Sequence, residues 1–341
     1  MKLPLRVLSL GLATAAATSW MLGQALGAGA YHAPRTNFGD PDLQGLWTNA
    51  SITTLERAPG ATSLVITPAE AERLEKANKA WLAANDKPTD PREGAPPSGD
   101  DPGGYNSFWI DLGSKYGVVN GEIRTSWIVD PPDGKIPYSD KGRRDMMAAA
   151  IPQFRNFDGP EVRSLGERCI VGYGSTGGPP MLNVLYNNNY QIVQSPGYVT
   201  IVVEMNHDAR IIRLGGTHLP ANMRPWMGDS IGHWEGDTLV VETTNLNPGE
   251  RFTADIRHRI YVAPDAKITE RFTRVSPSEI LYSFTVAEPT AYTQTWRGEI
   301  PMRATKGPMY EYACHEGNYS LPGILAGARS QEHGSSVGGS P

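Results

Sequence analysis

The chain has no basic block: 31 Lys and Arg residues stand against 36 Asp and Glu, for a net charge of −5. Counterion release, the main drive for nucleic-acid binding, is therefore missing, and DNA and RNA are excluded as partners. Metal-binding spacings such as H-x-H, H-x-x-x-H and H-E-x-x-H do not occur, although seven histidines are present. The run Gly172-Tyr173-Gly174-Ser175-Thr176-Gly177-Gly178 lacks a following G-K-[ST] and is closed by Pro179-Pro180, where a phosphate-cradling loop needs a helix N-terminus. Ser175 is not in a G-x-S-x-G elbow either, so nucleotide enzymes and serine hydrolases are disfavoured together. Beyond the first thirty residues no apolar stretch is long enough to span a bilayer. What is plentiful is glycine (37) and proline (28), about one residue in five against roughly one in eight on average, which argues for many turns and against long helical bundles. With 39% apolar and 20% charged residues the chain has the means to build a core.

The N-terminus reads as an export leader. Lys2 and Arg6 precede an uncharged run from Val7 to Ala30 that ends in Ala28-Gly29-Ala30, a small-x-small cleavage pattern. Thr14, Thr18, Ser19 and Gln24 dilute its apolarity below that of a membrane anchor, so no stable membrane insertion is expected after cleavage. Export gives the only two cysteines, Cys169 and Cys314, a default fate as one disulfide, because oxidising compartments leave few thiols free. The alternative is a thiolate nucleophile in Cys314-His315. Expected localisation is periplasmic or secreted.

Four regions follow: a leader, 1–30; an extended and helical segment, 31–125, packed on a barrel; a β-barrel domain, 126–328; and a disordered Gly/Ser-rich tail, 329–341. Thr67-Pro68-Ala69-Glu70 offers an N-cap hydroxyl, a proline at the first helical position and a glutamate at the third, so a helix starts there. Ala71, Leu74, Ala77, Trp81 and Leu82 then share the face expected to dock. Residues 86–104 are too rich in Pro, Gly and charge for regular structure. Short β runs follow at 127–130, 190–194, 198–205, 210–214, 238–243, 268–275, 280–287 and 292–300, separated by turn residues. Asp42–Trp47 offers a further, earlier strand. The fold class is mainly β: an antiparallel up-and-down barrel with an N-terminal helix and long loops, whose mouth or interior holds a small ligand.

Several phrases carry a resemblance: Pro41–Trp47 (PDLQGLW), Gly166–Cys169 (GERC), Tyr186–Tyr190 (YNNNY), Gly228–Thr244 (GDSIGHWEGDTLVVETT) and Tyr312–Tyr319 (YACHEGNY). As a set they resemble a large group of exported bacterial proteins, mostly without assigned function, whose W-x-G-D-S-x-G-x-W-E-G-D-T-L-V-V-E core is similar to calycin-type (lipocalin-like) barrels. The resemblance covers nearly all of the chain after the leader and brings no mechanism with it. Where the group has a D-G-R-x-H turn, this chain has Leu214-Gly215-Gly216-Thr217-His218, which keeps the histidine and loses its charged neighbours.

For chemistry the sequence points to Glu204–Arg210. Strand alternation places Glu204 with Thr200, Val202 and Asn206, opposite Val199, Ile201, Val203 and Met205. If that face lined the barrel, Glu204 would be a desolvated acid suited to proton transfer; facing water, it would be an ordinary surface residue. His207 and Asp208 occupy a turn, where Asp also serves the backbone. The expected acid–base set is Glu204, His207, Asp208 and His218, with Tyr173 as proton donor or hydrogen-bond partner. Tyr186, Asn187, Asn188, Asn189, Trp226, Trp234, His315 and Tyr319 are the candidates for binding an uncharged cyclic ligand; the competing role for the aromatics is to seal a barrel end. A metal site from His218, His233, His315 and Glu204 or Glu242 is a lesser alternative, and no metal or cofactor is expected. The function expected is a cofactor-independent lyase or isomerase acting on a hydrophobic terpenoid, steroid-like or aromatic molecule, with a noncatalytic carrier of the same ligands as the alternative.

Overall fold

The computed structural model describes residues 31–85, 92, 110–249, 252–255 and 257–337. The expected leader, nearly all of the loop 86–104 and the last four residues of the tail lie outside the described residues. Among the described residues fifteen strands and four α-helices are formed in chain order. The N-terminal part supplies β1 (Gly45–Thr48), β2 (Val65–Ile66), α1 (Pro68–Asn85), β3 (Val118–Val119), β4 (Glu122–Arg124), β5 (Ile128–Asp130) and α2 (Asp140–Arg155). Then come β6 (Asn189–Ser195), β7 (Tyr198–Val203), β8 (Ala209–Leu214), β9 (Asp229–Glu235), β10 (Thr238–Thr244), β11 (Phe252–Asp255) and β12 (His258–Tyr261). The chain closes with β13 (Lys267–Ser276), β14 (Glu279–Ala287), β15 (Trp296–Ala304), α3 (Cys314–Gly317) and α4 (Ser320–Val337).

Nine of these strands form a closed mixed barrel in the order β1-β6-β7-β8-β9-β10-β13-β14-β15, with β15 returning to β1 and also pairing with β5. The expected mainly β barrel is present, but it is not a pure up-and-down meander. Arg213 and Leu214 of β8 pair in parallel with Ile231 and Gly232 of β9, because the connection 215–228 carries the chain back along the barrel before β9 begins. The expected boundary at residue 126 also fails: β1, from the N-terminal segment, closes the ring through Trp47↔Tyr190 and Trp47↔Ala304. Without β1 both neighbouring strands would present open edges.

Large side chains pack the interior. On β13 and β14 every second residue is buried, as a closed sheet requires: Ile268, Glu270 and Phe272, then Ile280, Tyr282, Phe284 and Val286. Gly298 lies opposite Phe284, and a Cβ there would come within 2.4 Å of the Phe284 ring, so only glycine lets that ring lie flat across β15. One charge pair is enclosed in this core. Arg210 Nη1 and Nη2 donate to Glu270 Oε1 and Oε2 at 2.9 and 2.5 Å, and Tyr282 Oη donates to Oε1 at 2.8 Å. Burial acts to discharge a guanidinium, but Glu270 beside it outweighs that and raises the Arg210 pKa.

The helix expected at Thr67 is present, with Thr67 Oγ1 accepting from the Glu70 amide at 3.3 Å. Its docked stripe is rotated from the expected one. Ala71 is buried and Leu74 and Leu82 are half-buried, whereas Ala77 and Trp81 face outward. At the other terminus α4 runs through Val337, so residues 329–337 are helical instead of disordered. Arg329 anchors this helix by donating to the carbonyls of Asp158 and Phe157 at 3.0 and 2.9 Å.

Cys169 and Cys314 form the expected disulfide, with Cα atoms 5.7 Å apart across 145 residues of sequence. It ties the loop below the barrel to the segment leading into α4. Asn318 Nδ2 reinforces the tie by donating to Glu167 O at 2.7 Å. Cys314→Ser is expected to lower stability by about 2–5 kcal/mol in urea denaturation, since it frees a long loop in the unfolded chain. An unchanged midpoint would show that the bond adds nothing to net stability.

Candidate functional site

One end of the barrel is plugged by the segment 172–184. Met181 and Leu182 are fully buried there, and the Met181 amide donates to Tyr282 Oη at 2.9 Å. Thr176 O accepts from Tyr190 Oη at 3.1 Å, fixing the plug from the wall. Against the outer side of this plug lies a cavity of about 460 Å³, bounded by residues 163–167, 171–175, 177–178, Asp208, Trp226–Met227, the end of α2 at Gln153 and Phe154, and α4 at Ser320 and Ile324. Tyr173 and Tyr186 supply aromatic wall. Gly166 is needed for this arrangement, since a Cβ there would lie 2.6 Å from the Tyr173 ring.

Asp208 owes its position to the way β7 ends. The strand stops at Val203; Glu204 turns helical, and Asn206 and His207 take left-handed φ of 60° and 54° before Asp208 returns to an extended ψ. Asparagine is among the few non-glycine residues that enter this region readily, and His207 follows it at some cost. Val203 N donates to Asp208 O at 2.8 Å and closes the turn. The Asp208 side chain is thereby aimed at the plug, where Oδ2 accepts from the Gly172 amide at 2.7 Å. Burial pushes its carboxyl up to about 6, against the lowering pull of Gly172, Asn206 and His207. A carboxyl poised there is mostly ionised at neutral pH yet gains a proton readily, as proton transfer requires.

Of the residues expected from the sequence, the structure brings Asp208, Tyr173, Tyr186 and Trp226 to this cavity. The others lie elsewhere. Glu204 leaves the strand alternation expected for it and is buried, with Oε2 accepting from Asn189 Nδ2 at 2.7 Å and Oε1 from the Tyr310 amide at 2.9 Å, so it clamps the C-terminal segment. His207 is exposed, with Nε2 3.4 Å from the Tyr312 amide. His218 sits on the barrel flank between two acids, Nδ1 2.8 Å from Asp229 Oδ2 and Nε2 3.4 Å from Glu242 Oε1. Asn188 is fully spent on backbone groups: Oδ1 accepts from Val184 N, while Nδ2 donates to Val184 O in its own loop and to Asp111 O in a distant segment. Asn187 carries a left-handed φ of 58° and serves the same loop. Trp234 packs against the core, His233 pairs with Glu235 on the surface, His315 is exposed and Tyr319 is 83% exposed. Among the described residues no group of three or more His, Cys, Asp and Glu is disposed to hold a metal ion.

Two features of the site were missed by sequence reasoning. Ser164 and Glu167 form a reciprocal capping pair: Ser164 N donates to Glu167 Oε2 at 2.9 Å, and Glu167 N to Ser164 Oγ at 3.2 Å. Glu167 Oε1 also accepts from Arg163 Nη2 at 2.6 Å, which places an ion pair on the cavity wall. The S-x-x-E spacing was the available signal. The second feature is His258, buried behind the plug, whose Nε2 donates to Gly174 O at 2.7 Å. Burial pushes its pKa down and keeps it neutral, so it braces the backbone beside Tyr173. Nothing in the sequence around His258 marks it.

Fold and site together define a closed mixed β-barrel with a plugged interior and an aromatic-walled cavity at one end, carrying one carboxyl of raised pKa. No family model, no curated protein and no solved structure matches the chain.

Proposed function

We propose that the protein is a cofactor-independent lyase or isomerase, in which Asp208 exchanges a proton with a small, largely apolar molecule held in the end cavity. The observation that carries this reading is the position of Asp208: a buried carboxyl, pushed up to about 6, on the wall of a cavity faced by Tyr173, Tyr186 and Trp226. Aromatic walls suit a terpenoid, steroid-like or aromatic skeleton, and such a site excludes water from the reacting bond. Glu167 is already committed to Arg163 and Ser164, which leaves Asp208 as the acid–base group of the set.

The test is incubation of purified protein with hydrophobic extracts, followed by mass spectrometry of bound and released molecules. Turnover appears as an isomer or an elimination product in the released fraction, with a rate that titrates near pH 6. Recovery of bound molecules unaltered, with no pH-dependent product, would make the protein a carrier instead.

We also infer export to an oxidising compartment and kinship with the exported calycin-like group. Support comes from Lys2, Arg6, the uncharged run to Ala30 and the quoted phrases, together with the Cys169–Cys314 bond, which suits such a compartment. N-terminal sequencing of protein from the periplasm is expected to begin at Tyr31. A start at Met1 would refute the leader.

A further inference from the structure

A second concave surface borders α2; it shares Phe154 with the end cavity, but Asp208 is not among its lining residues. It is a groove of about 1060 Å³ between α2 and the segments 131–138 and 293–294. That is at the upper end of the roughly 300–1,000 Å³ usual for small-molecule sites, and suits an elongated ligand better than a compact one. Along α2, Met147, Ile151 and Phe154 recur at steps of four and three and so share a helix face. All three are exposed, at 50%, 46% and 60%. An apolar stripe of this kind on a helix otherwise bearing charge calls for a covering group.

The rim identifies the chemistry. Lys135, Arg143, Arg155 and Arg259 line the groove against two carboxylates, Glu56 and Asp133. Both acids are engaged by backbone amides: Glu56 Oε1 accepts from Ile136 N at 2.8 Å and Asp133 Oδ1 from Lys135 N at 3.0 Å. Lys135 Nζ donates to Arg57 O. Among the described residues none of Arg143, Arg155 and Arg259 joins an ion pair or a side-chain hydrogen bond. Two of these guanidinium groups stand on α2 and the third on the opposite wall. Unpaired cations on both sides of an apolar floor complement an anion carried on a hydrocarbon chain. A bilayer surface would touch only a convex face, and a second copy of the chain would bring the same cations against these.

We propose that this groove binds one long-chain carboxylate, its acyl chain along Met147, Ile151 and Phe154 and its head among Arg143, Arg155 and Arg259. The test uses oleate below its aggregation concentration, displacing a fluorescent polyunsaturated fatty acid from the full chain. One molecule of oleate per chain is expected to bind. Arg143→Gln with Arg259→Gln, both exposed, should weaken binding at least about tenfold, as loss of charge-assisted hydrogen bonds implies. Ile151→Asp should do the same from the apolar side, and oleyl alcohol, which lacks the charge, should bind at least about tenfold more weakly than oleate. Asp208→Asn should leave oleate binding as it is, which separates this site from the end cavity. Equal affinity of wild type and the double arginine variant would overturn the proposal. So would adsorption to phosphatidylglycerol-containing vesicles without monomer binding, or self-association through α2 that oleate does not reverse.

Discussion

Glu270→Gln is expected to destabilise the protein by about 3–5 kcal/mol, because it leaves the Arg210 guanidinium charged and uncompensated inside the barrel. Both side chains are essentially inaccessible, at 1% and 0% exposure, so solvent cannot take over from the lost carboxylate. Remaining neighbours are too weak to replace it: Ser230 Oγ is 3.5 Å from Arg210 Nη2 and is already engaged with Thr243 Oγ1 at 2.8 Å. Removing both charges is a different experiment. Arg210→Met with Glu270→Leu exchanges the pair for apolar side chains, and most of the loss should be recovered, since a buried pair seldom outweighs its own desolvation. Tyr282 Oη would then lose its acceptor while still receiving the Met181 amide, a residual cost of about 1–3 kcal/mol. Urea denaturation of the three proteins decides the matter. A Gln variant as stable as wild type would mean that the interior is wetter than its packing implies.

This pair also shows how the sequence could be read further. Arg210 stands two residues before Ile212, and Glu270 lies between Ile268 and Phe272, so each breaks an inward apolar alternation at one position. A single charge on an inward face implies a partner across the interior, and the two interruptions identify each other. The strands around them were legible because alternation and turn residues are local signals. β9 was hidden because Asp229–Glu235 mixes polar residues with Gly232, whose missing side chain makes room for Ile212; a Cβ there would sit 2.9 Å from Ile212 Cγ2. The closing role of β1 and the parallel β8–β9 pair were hidden for another reason. Both depend on contacts between segments far apart in sequence, which periodicity cannot report.

Helices were legible only where their caps were. Thr67 announces α1, but α2 begins with a charged stretch and contains Pro152, and α4 carries Gly323 and Gly327, whose low propensity suggests loop. Tertiary anchoring overrides propensity in both cases: at the start of α2 Ser139 Oγ donates to Thr290 O at 2.6 Å and Ser139 N to Ala291 O at 2.8 Å, and Arg329 ties α4 to the 157–158 backbone. At the site, Asp208 was visible as a turn aspartate beside a strand. Its environment was not, because the Gly172 amide and the plug reach it from 36 residues away. Glu204 gave the opposite error: alternation assigned it to a strand face, but the backbone leaves the sheet one residue before it.

Asp208→Asn is expected to do two opposite things. It should reduce turnover by about 10²–10⁴-fold, the usual contribution of a positioned acid–base group, while ligand affinity changes little. It should also make the protein more stable at neutral pH. The folded state raises the Asp208 pKa from 3.8 to about 6, so the fold disfavours the ionised form. Its protonated form is favoured by folding, and that advantage is complete below about pH 3.8 and lost as pH rises through about 6. At pH 7–8 the wild type therefore carries a penalty of about 3 kcal/mol that an uncharged amide of the same shape avoids. Asn keeps an oxygen for the Gly172 amide, so the plug stays anchored. The stability difference between variant and wild type should thus be about 3 kcal/mol in the variant's favour at pH 7.5 and shrink toward zero by pH 4, where Asp208 is protonated in both states. Taking the difference cancels every other titrating group. A variant less stable than wild type at pH 7.5 would show that the ionised carboxylate supports the fold, and the reading of Asp208 as a proton-exchanging group strained by burial would fall with it.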